Sequence, residues 1–521
     1  MLAQSYSERS NENQSVLCMY LLACGASKTQ FAVLHHAGLT SSYAKALRDI
    51  KTLQVEQLAK VVDIARKQAF MLVWDNLNFA FRVGEQRLGS KDRFDSGTTA
   101  MLIPLYDIAF GELSLDLLKP RKTRLHVLNF KPTDILPSAA CIQQLEDAML
   151  WHIEDILITA YPSLRRRLKG EHQPVPTVEA IPVHKTEQHP LPAMPVDEGS
   201  IDGTLEVIDT LVRKVLKLSE EELRTHGVII CAGDQLTNSL VDKASACRRD
   251  DSELLDNYAK YLCTQLGLFH VKLASTRMVM NEHWGMPNAQ APWSLWRMNT
   301  LLSRKAMSAG WKAKKLAPFR PAVELISKLA LPANILDGFC LHCGTDSLDA
   351  WVNKVSDYES VRRVATAVRD KLCSSQRVAT LRKLPTDKRD VTLENIILFN
   401  RDALILREFV HAIKRGDVGS VVNVLSYWVH EFRRTGGMPK YADALFEVLI
   451  MLKNMRPTLK HAYMISWLVN TTGRPNAFKE VDLLQEHQNF WAKVCNQCSV
   501  SIVYAGLHRY SGHLSSARIQ P

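Results

Sequence analysis

The 521 residues contain no apolar run long enough to span a bilayer. The most hydrophobic early stretch, Val16 to Cys24, falls well short of the roughly 20 residues a spanning helix needs. The polar start, MLAQSYSERSNENQS, lacks the apolar centre of a signal peptide. Cysteine is thin and irregular. There are 11, an odd number, scattered except for the pairs Cys340/Cys343 and Cys495/Cys498. That excludes a dense disulfide framework and points to reduced thiols in the nucleus or cytoplasm. No internal repeat is visible, which excludes a solenoid. What is present is ordinary globular composition, 46% hydrophobic and 23% charged, which excludes wholesale disorder. The length calls for more than one structural unit. A net charge of +11 suits a polyanion such as DNA without requiring one.

Along the chain, residues 1–14 read as a disordered tail and 15–69 as a helical segment. Leu47, Ile50, Leu53, Leu58, Val61, Val62 and Ile64 recur at helical spacing, with Thr40 and Ser41 as caps. QFAVLHHAGLTSSYAKALRD has the form of a helix-turn-helix, with the turn at Gly38 and with Val33, Leu39 and Leu47 at packing positions. Any helical hairpin with a glycine turn gives the same pattern. The period then changes. AFMLVWDNLNF, TAMLIPLY and RLHVLNF read as strands, and QQLEDAMLWHIEDILITAY as an amphipathic helix. Six prolines within 170–203 mark a linker. GTLEVIDTLVRKVLKLS reads as helix and Val228 to Ala232 as a buried strand. From Ser252 to about Leu468 the pattern is helical. A loop, TTGRPNAF, and a last helix, KEVDLLQEHQNFWAKV, close the ordered pattern.

Three acids stand out. Asp75 follows one apolar strand, Asp234 follows a second, and Glu486 lies on the late helix. Each alone reads as a turn residue, a cap or a solvated side chain. Together they form the set that two-metal phosphoryl transfer requires. Hard divalent ions take carboxylate oxygens, and two ions roughly 4 Å apart need several acids on rigid elements.

WDNLNF, GDQLT and WLVNTTGRPNAFKEVDLLQEHQNFW resemble the blocks of an uncharacterised transposon-derived domain abundant in mushroom-forming fungi, over about Leu34 to Val494. More distantly they are similar to the hAT-like, P-element-like and Kyakuja-Dileera-Zisupton DDE transposases, a likeness argued by analogy of fold. The resemblance implies that Asp75, Asp234 and Glu486 are the acidic ligands of Mg²⁺ or Mn²⁺. Asn489, one turn after Glu486, would orient a ligand or a phosphate, and Asp482, one turn before, is the alternative third acid. His487 lies on another face of that helix. His270 and His283 are candidates to reach the same site. In those transposases an all-helical insertion separates the second aspartate from the glutamate. The sequence shows no zinc-finger module at its start, which points to a truncated copy or a gene-model fragment.

Other features carry weaker chemistry. The two Cys-x-x-Cys pairs could together bind zinc tetrahedrally, but their separation exceeds zinc-finger spacing, and inert cysteines give the same pattern. Arg165, Arg166 and Arg167, and Lys312, Lys314 and Lys315, form basic clusters suited to phosphates. Trp284, Trp293, Trp296 and Trp311 lie near the second and could stack bases, as packed tryptophans beside a solvated helix face also would.

The sequence therefore predicts an α/β protein with a ribonuclease-H-like mixed sheet, an N-terminal helical segment and a large all-helical insertion. The core's first part is 70–280, with 170–203 as its linker. The insertion is 281–470, the final core helix 471–500, and a tail 501–521. The expected function is metal-dependent DNA strand cleavage and transfer by a DDE acid triad. The alternative is an inactive, domesticated remnant that binds DNA or protein. A homo-oligomer is compatible with either.

Overall fold

The computed structural model of the protein describes residues 12–81, 93–118, 131, 136–168, 170–286, 291–435 and 437–498. Helices α1 (Glu12–Ala23), α2 (Lys28–His36) and α3 (Tyr43–Lys67) come first, so the chain is already helical within the expected tail. Ser27 starts α2 and Ser42 starts α3. Each side chain accepts the backbone N–H three residues on, at 3.2 and 3.3 Å. The cap of α3 is thus Ser42, while Thr40 and Ser41 are buried, Ser41 against the Cys18 thiol. Cys18, Leu22, Phe31 and Ala46 form a small separate core. Val33 and Leu39, expected to pack, are exposed, because Phe31 takes the inward position of the short α2.

A five-stranded mixed sheet comes next. Its strands are β1 (Phe70–Phe81), β2 (Arg93–Pro104), β3 (His189–Pro190), β4 (Ile229–Gly233) and β5 (Leu262–Leu266), in the spatial order β3-β2-β1-β4-β5. β2 is antiparallel to β1 and β3 to β2, whereas β4 and β5 run parallel to β1. Side chains alternate across the pleat. Met71 and Val73 enter the larger core with Ile230 and Ala232. Phe70, Leu72 and Trp74 enter a second core with Ile229 and Cys231.

Between the strands run α4 (Ala139–Ala160), α5 (Pro162–Arg167), α6 (Ile201–Asp209), α7 (Glu220–His226) and α8 (Gln235–Cys247), and α9 (Leu268–His283) follows β5. The expected strand at 124–130 lies outside the described residues, and the third strand is β3, inside the proline-rich segment. β5 lies in a stretch read as helical. Five residues on a sheet edge, Leu262 to Leu266, are too short a run for a period of their own to separate them from helix.

The proline-rich segment lacks helix as far as Ser200, the cap of α6, as its prolines require, yet it is firmly held. Val175, Ile181, Leu191, Met194 and Val196 are buried. Its backbone bonds to distant parts of the chain, Ile181 N–H to Gly416 O at 2.8 Å and Thr186 N–H to Asn470 O at 2.8 Å. It is a strap tying the sheet to the later, helical part of the chain.

That helical part comprises α10 (Leu295–Leu301), α11 (Phe319–Glu324), α12 (Leu331–His342), α13 (Leu348–Lys354), α14 (Tyr358–Leu372), α15 (Ser375–Arg382), α16 (Val391–Arg415), α17 (Val418–Thr435), α18 (Pro439–Asn454) and α19 (Pro457–Ile465). A small antiparallel pair, β6 (Leu468–Val469) and β7 (Lys479–Glu480), leads into α20 (Val481–Cys498). All of these helices but α15 share one continuous core with a face of the sheet, while α15 packs Val378 and Leu381 against Ile397 of α16. No helix among the described residues is long and apolar enough to cross a membrane.

Candidate functional site

β1 and β4 are paired Met71↔Ile230, Leu72↔Cys231 and Val73↔Ala232. Carried two residues further, that register sets Asp75 level with Asp234. The two aspartates reach this level differently. Asp234 follows the last residue of β4 and caps α8, its Oδ1 accepting the Thr237 N–H at 2.7 Å. Gly233 before it has no room for a side chain, because a Cβ would lie 2.6 Å from Thr237 Cγ2. Asp75 is not at a strand end, contrary to the sequence reading. β1 continues to Phe81 because β2 keeps pairing with it, Asp75 opposite Thr99, and only the parallel ladder to β4 stops short.

The last helix, α20, packs against β1, β2 and α9. Its inward stripe is polar. Asp482, Gln485 and Asn489 are all buried there. Gln485 donates to the Thr99 hydroxyl at 2.8 Å, Thr99 donates to Asn489 Oδ1, and Asn489 Nδ2 donates to Asp75 Oδ2 at 2.7 Å. This relay fixes the Asn489 amide and, through it, the Asp75 carboxylate. Glu486 is on the same helix and more open, with its side chain 36% exposed. Burial first, then the charges of Glu486 and Asp234, push the Asp75 carboxyl up to about 6. Mutual repulsion of this kind identifies the three acids as one electrostatic cluster.

His270, in the first turn of α9, completes it. The ring Nδ1 lies 3.0 Å from Asp482 Oδ2 and Nε2 lies 3.6 Å from Glu486 Oε1. Burial opposes charge on the imidazole. The hydrogen bond to Asp482 and the charges of Asp482, Asp234 and Glu486 outweigh it and hold the ring up at about 9. Asp482 also accepts the backbone N–H of Phe269 and of His270, at 3.0 and 3.1 Å. Its carboxylate is therefore committed to the start of α9, which leaves Glu486 as the third acid of the cluster. The approach is close, since a Cβ on Gly267 would lie 2.3 Å from Asp482 Oδ2. His283 is elsewhere, bonded to Asp402 at 2.9 Å among the helices. Glu480 is buried and paired with Lys272.

One acid escaped the sequence reading. Glu198, at the end of the strap, is 5% exposed, and its Oε1 accepts the Thr237 hydroxyl at 3.1 Å. Burial and then the charge of Asp75 push it up to about 8. No strand-end pattern marks it, since it sits in a proline-interrupted stretch before the Ser200 cap of α6.

The remaining candidates lie apart. Arg165, Arg166 and Arg167 are exposed on α5, and Arg167 donates to Val352 O and Asn353 O. Lys312, Lys314 and Lys315 are exposed in the stretch before α11. Among the described contacts, none joins these side chains to the acids. Trp284 is buried and Trp311 donates to Glu282 at 2.5 Å. Cys340 and Cys343 carry free thiols, and the side chains of Cys495 and Cys498 lie outside those described.

A second cluster was not foreseen. His152 on α4 and Glu408 and His411 on α16 bring three ligand atoms within 4.8 Å. Its hydrogen bonds read as a relay and not as a cation site. Arg407 Nε donates to His152 Nδ1 at 3.2 Å, so the proton of this neutral ring sits on Nε2 and is donated to Glu408 at 2.8 Å. A metal on Nε2 would require the proton on Nδ1, facing another donor. Arg415 also occupies Glu408, at 3.0 Å.

Residues 129–500 match a family described as a family of unknown function, DUF6589. The match covers Asp234, Glu486, Asn489, His270 and Glu198, and begins after β1 and β2, so that Asp75 lies before it. No curated protein matches the chain, and no solved structure does.

Proposed function

The chain belongs to the DUF6589 family, whose function is unknown, and we propose that it is a transposase-derived protein whose α/β core cleaves and transfers DNA strands with a divalent metal. The observation that carries this reading is the placement of Asp75, on β1, level with Asp234, directly after the neighbouring parallel strand β4, with Glu486 on the helix packed against β1. A central β1 with an antiparallel ladder on one side and parallel strands on the other supports reading the core as ribonuclease-H-like. The helices from α10 to α19 are then the insertion between the second aspartate and the glutamate.

The donor set fits Mg²⁺ or Mn²⁺. Asp75, Asp234 and Glu486 offer hard carboxylate oxygens, and their mutual repulsion is the kind a cation relieves. Such an ion, when bound, neutralises charge on a phosphate and lowers the pKa of an attacking water or hydroxyl. The chain's own part is positioning. Asn489 and Thr99 hold Asp75, the α8 cap holds Asp234, and Asp482 holds His270 beside Glu486.

A second reading, a domesticated DNA- or protein-binding remnant, is favoured by one contact. His270 already supplies Glu486 with a positive charge from within the chain. A plasmid-nicking assay in Mn²⁺, paired with a salt titration of duplex binding, separates the two. Glu486→Gln should abolish nicking and leave binding, which weakens steeply with salt, intact. Binding without nicking in the wild type would establish the remnant. Nicking that survives in Glu486→Gln would remove the triad.

A further inference from the structure

We propose that Glu198 is a fourth carboxylate ligand of the divalent-metal site, resting on the metal-dependent reading above, and that it takes the ion held between Asp75 and Asp234. The argument is one of unsatisfied valence. Glu198 Oε1 is bonded to the Thr237 hydroxyl, while Oε2 is buried with no hydrogen-bond partner. If ionised, Glu198 presents a bare buried oxygen. If protonated there, it presents a buried O–H with no acceptor. Both states cost free energy in a folded chain, and a partner for Oε2 would remove that cost.

The surroundings identify the ligand as a cation shared with the aspartates. The segment is pinned to both. Asn76, next to Asp75, donates to Asp197 Oδ1 at 3.1 Å, and Thr237, whose hydroxyl holds Glu198, gives its N–H to Asp234. Asp75 is the strongest of the charges acting on Glu198, with Asp234 and Asp197 behind it. An anion is excluded by that company, and a neutral donor would leave the repulsion in place. A hard divalent cation satisfies Oε2 and offsets the clustered negative charge together.

The test uses the full-length chain and MnCl₂ in calorimetric titrations, with thermal unfolding in EDTA as the companion measurement. Glu198→Gln keeps the shape and the acceptor for Thr237. It should weaken Mn²⁺ binding at least about tenfold, and in EDTA it should unfold no earlier than wild type, since it removes a buried unpartnered oxygen. Asp234→Ala serves as reference. Wild-type Mn²⁺ affinity in Glu198→Gln, with binding lost in Asp234→Ala, would overturn the role of Glu198 and leave the metal site standing. Wild-type affinity in both would overturn the metal site itself. A Glu198→Gln chain that unfolds several degrees earlier in EDTA yet binds Mn²⁺ normally would make Glu198 a structural acid and overturn the proposal.

Discussion

Asp482 grips His270 twice, its Oδ2 taking the backbone N–H at 3.1 Å and facing the ring Nδ1 at 3.0 Å. A carboxylate can only accept, so Nδ1 carries a proton toward Asp482 and the cationic ring aims its second N–H, on Nε2, toward Glu486. One helix thus orients a side chain on another, and the half-buried ring stays cationic against its own desolvation.

Asp482→Asn removes the charge behind that effect and keeps an oxygen for the backbone. With Asp482 gone, burial prevails, and His270 should fall from about 9 by more than ~1 unit in the metal-free chain. The ring-proton shifts of His270, followed by NMR against pH, give the value directly. An unchanged titration would mean that Glu486 and Asp234 hold the charge alone.

His226 makes the chain sensitive to acid. It is fully buried, its Nε2 accepts the Phe70 N–H at 3.3 Å, and burial depresses it to about 4. The unfolded chain takes up a proton near pH 6.5 that the folded chain refuses until about 4. The stability this neutral ring contributes is therefore complete above 6.5 and is lost as pH falls toward 4. Between pH 7 and 4.5 the loss amounts to roughly 2 kcal/mol. In urea titrations at those two pH values, His226→Gln should lose less than wild type by that amount. Equal losses would place the acid sensitivity elsewhere.

Asp417 anchors the strap. It is fully buried and accepts from the backbone of Val178, Glu179 and Ser420 and from the Ser420 hydroxyl, the last at 2.7 Å. Asp417→Ala strands those donors and the Arg415 guanidinium together. A loss of about 3 kcal/mol is expected, with the amides of 178–181 exchanging faster by mass spectrometry. Protection at 178–181 equal to wild type would show that the strap is held by its buried apolar residues alone.

The site's principal parts were legible because each leaves a local trace. Continuous apolar runs mark β1 and β4, the capping Asp234 comes directly after its strand, and the amphipathic period of α20 sets Asp482, Glu486 and Asn489 on neighbouring turns. Glu198 and β3 left none. A two-residue strand has no period, and an acid between prolines has the composition of a loop. β5, with Thr264 and Gln265 among its five residues, is too short to show a strand period and passes for helix. Thr99 and Gln485 gain meaning only when β2 and α20 meet, since their hydrogen bond joins residues 386 apart in sequence.

That separation also fixes an order of events during synthesis. Asn489 meets Asp75 across 414 residues of chain. At about 5–20 residues per second, Asp75 leaves the ribosome roughly 20 to 80 s before the side chain that holds it. Through that interval β1 and β4 can pair, yet Glu486, Asn489 and the Asp482 grip on His270 are still unmade. The nascent protein passes most of its synthesis with the acid cluster unassembled and the part of β1 and β2 that α20 covers still open, its polar groups bonded to water in place of Gln485 and Asn489.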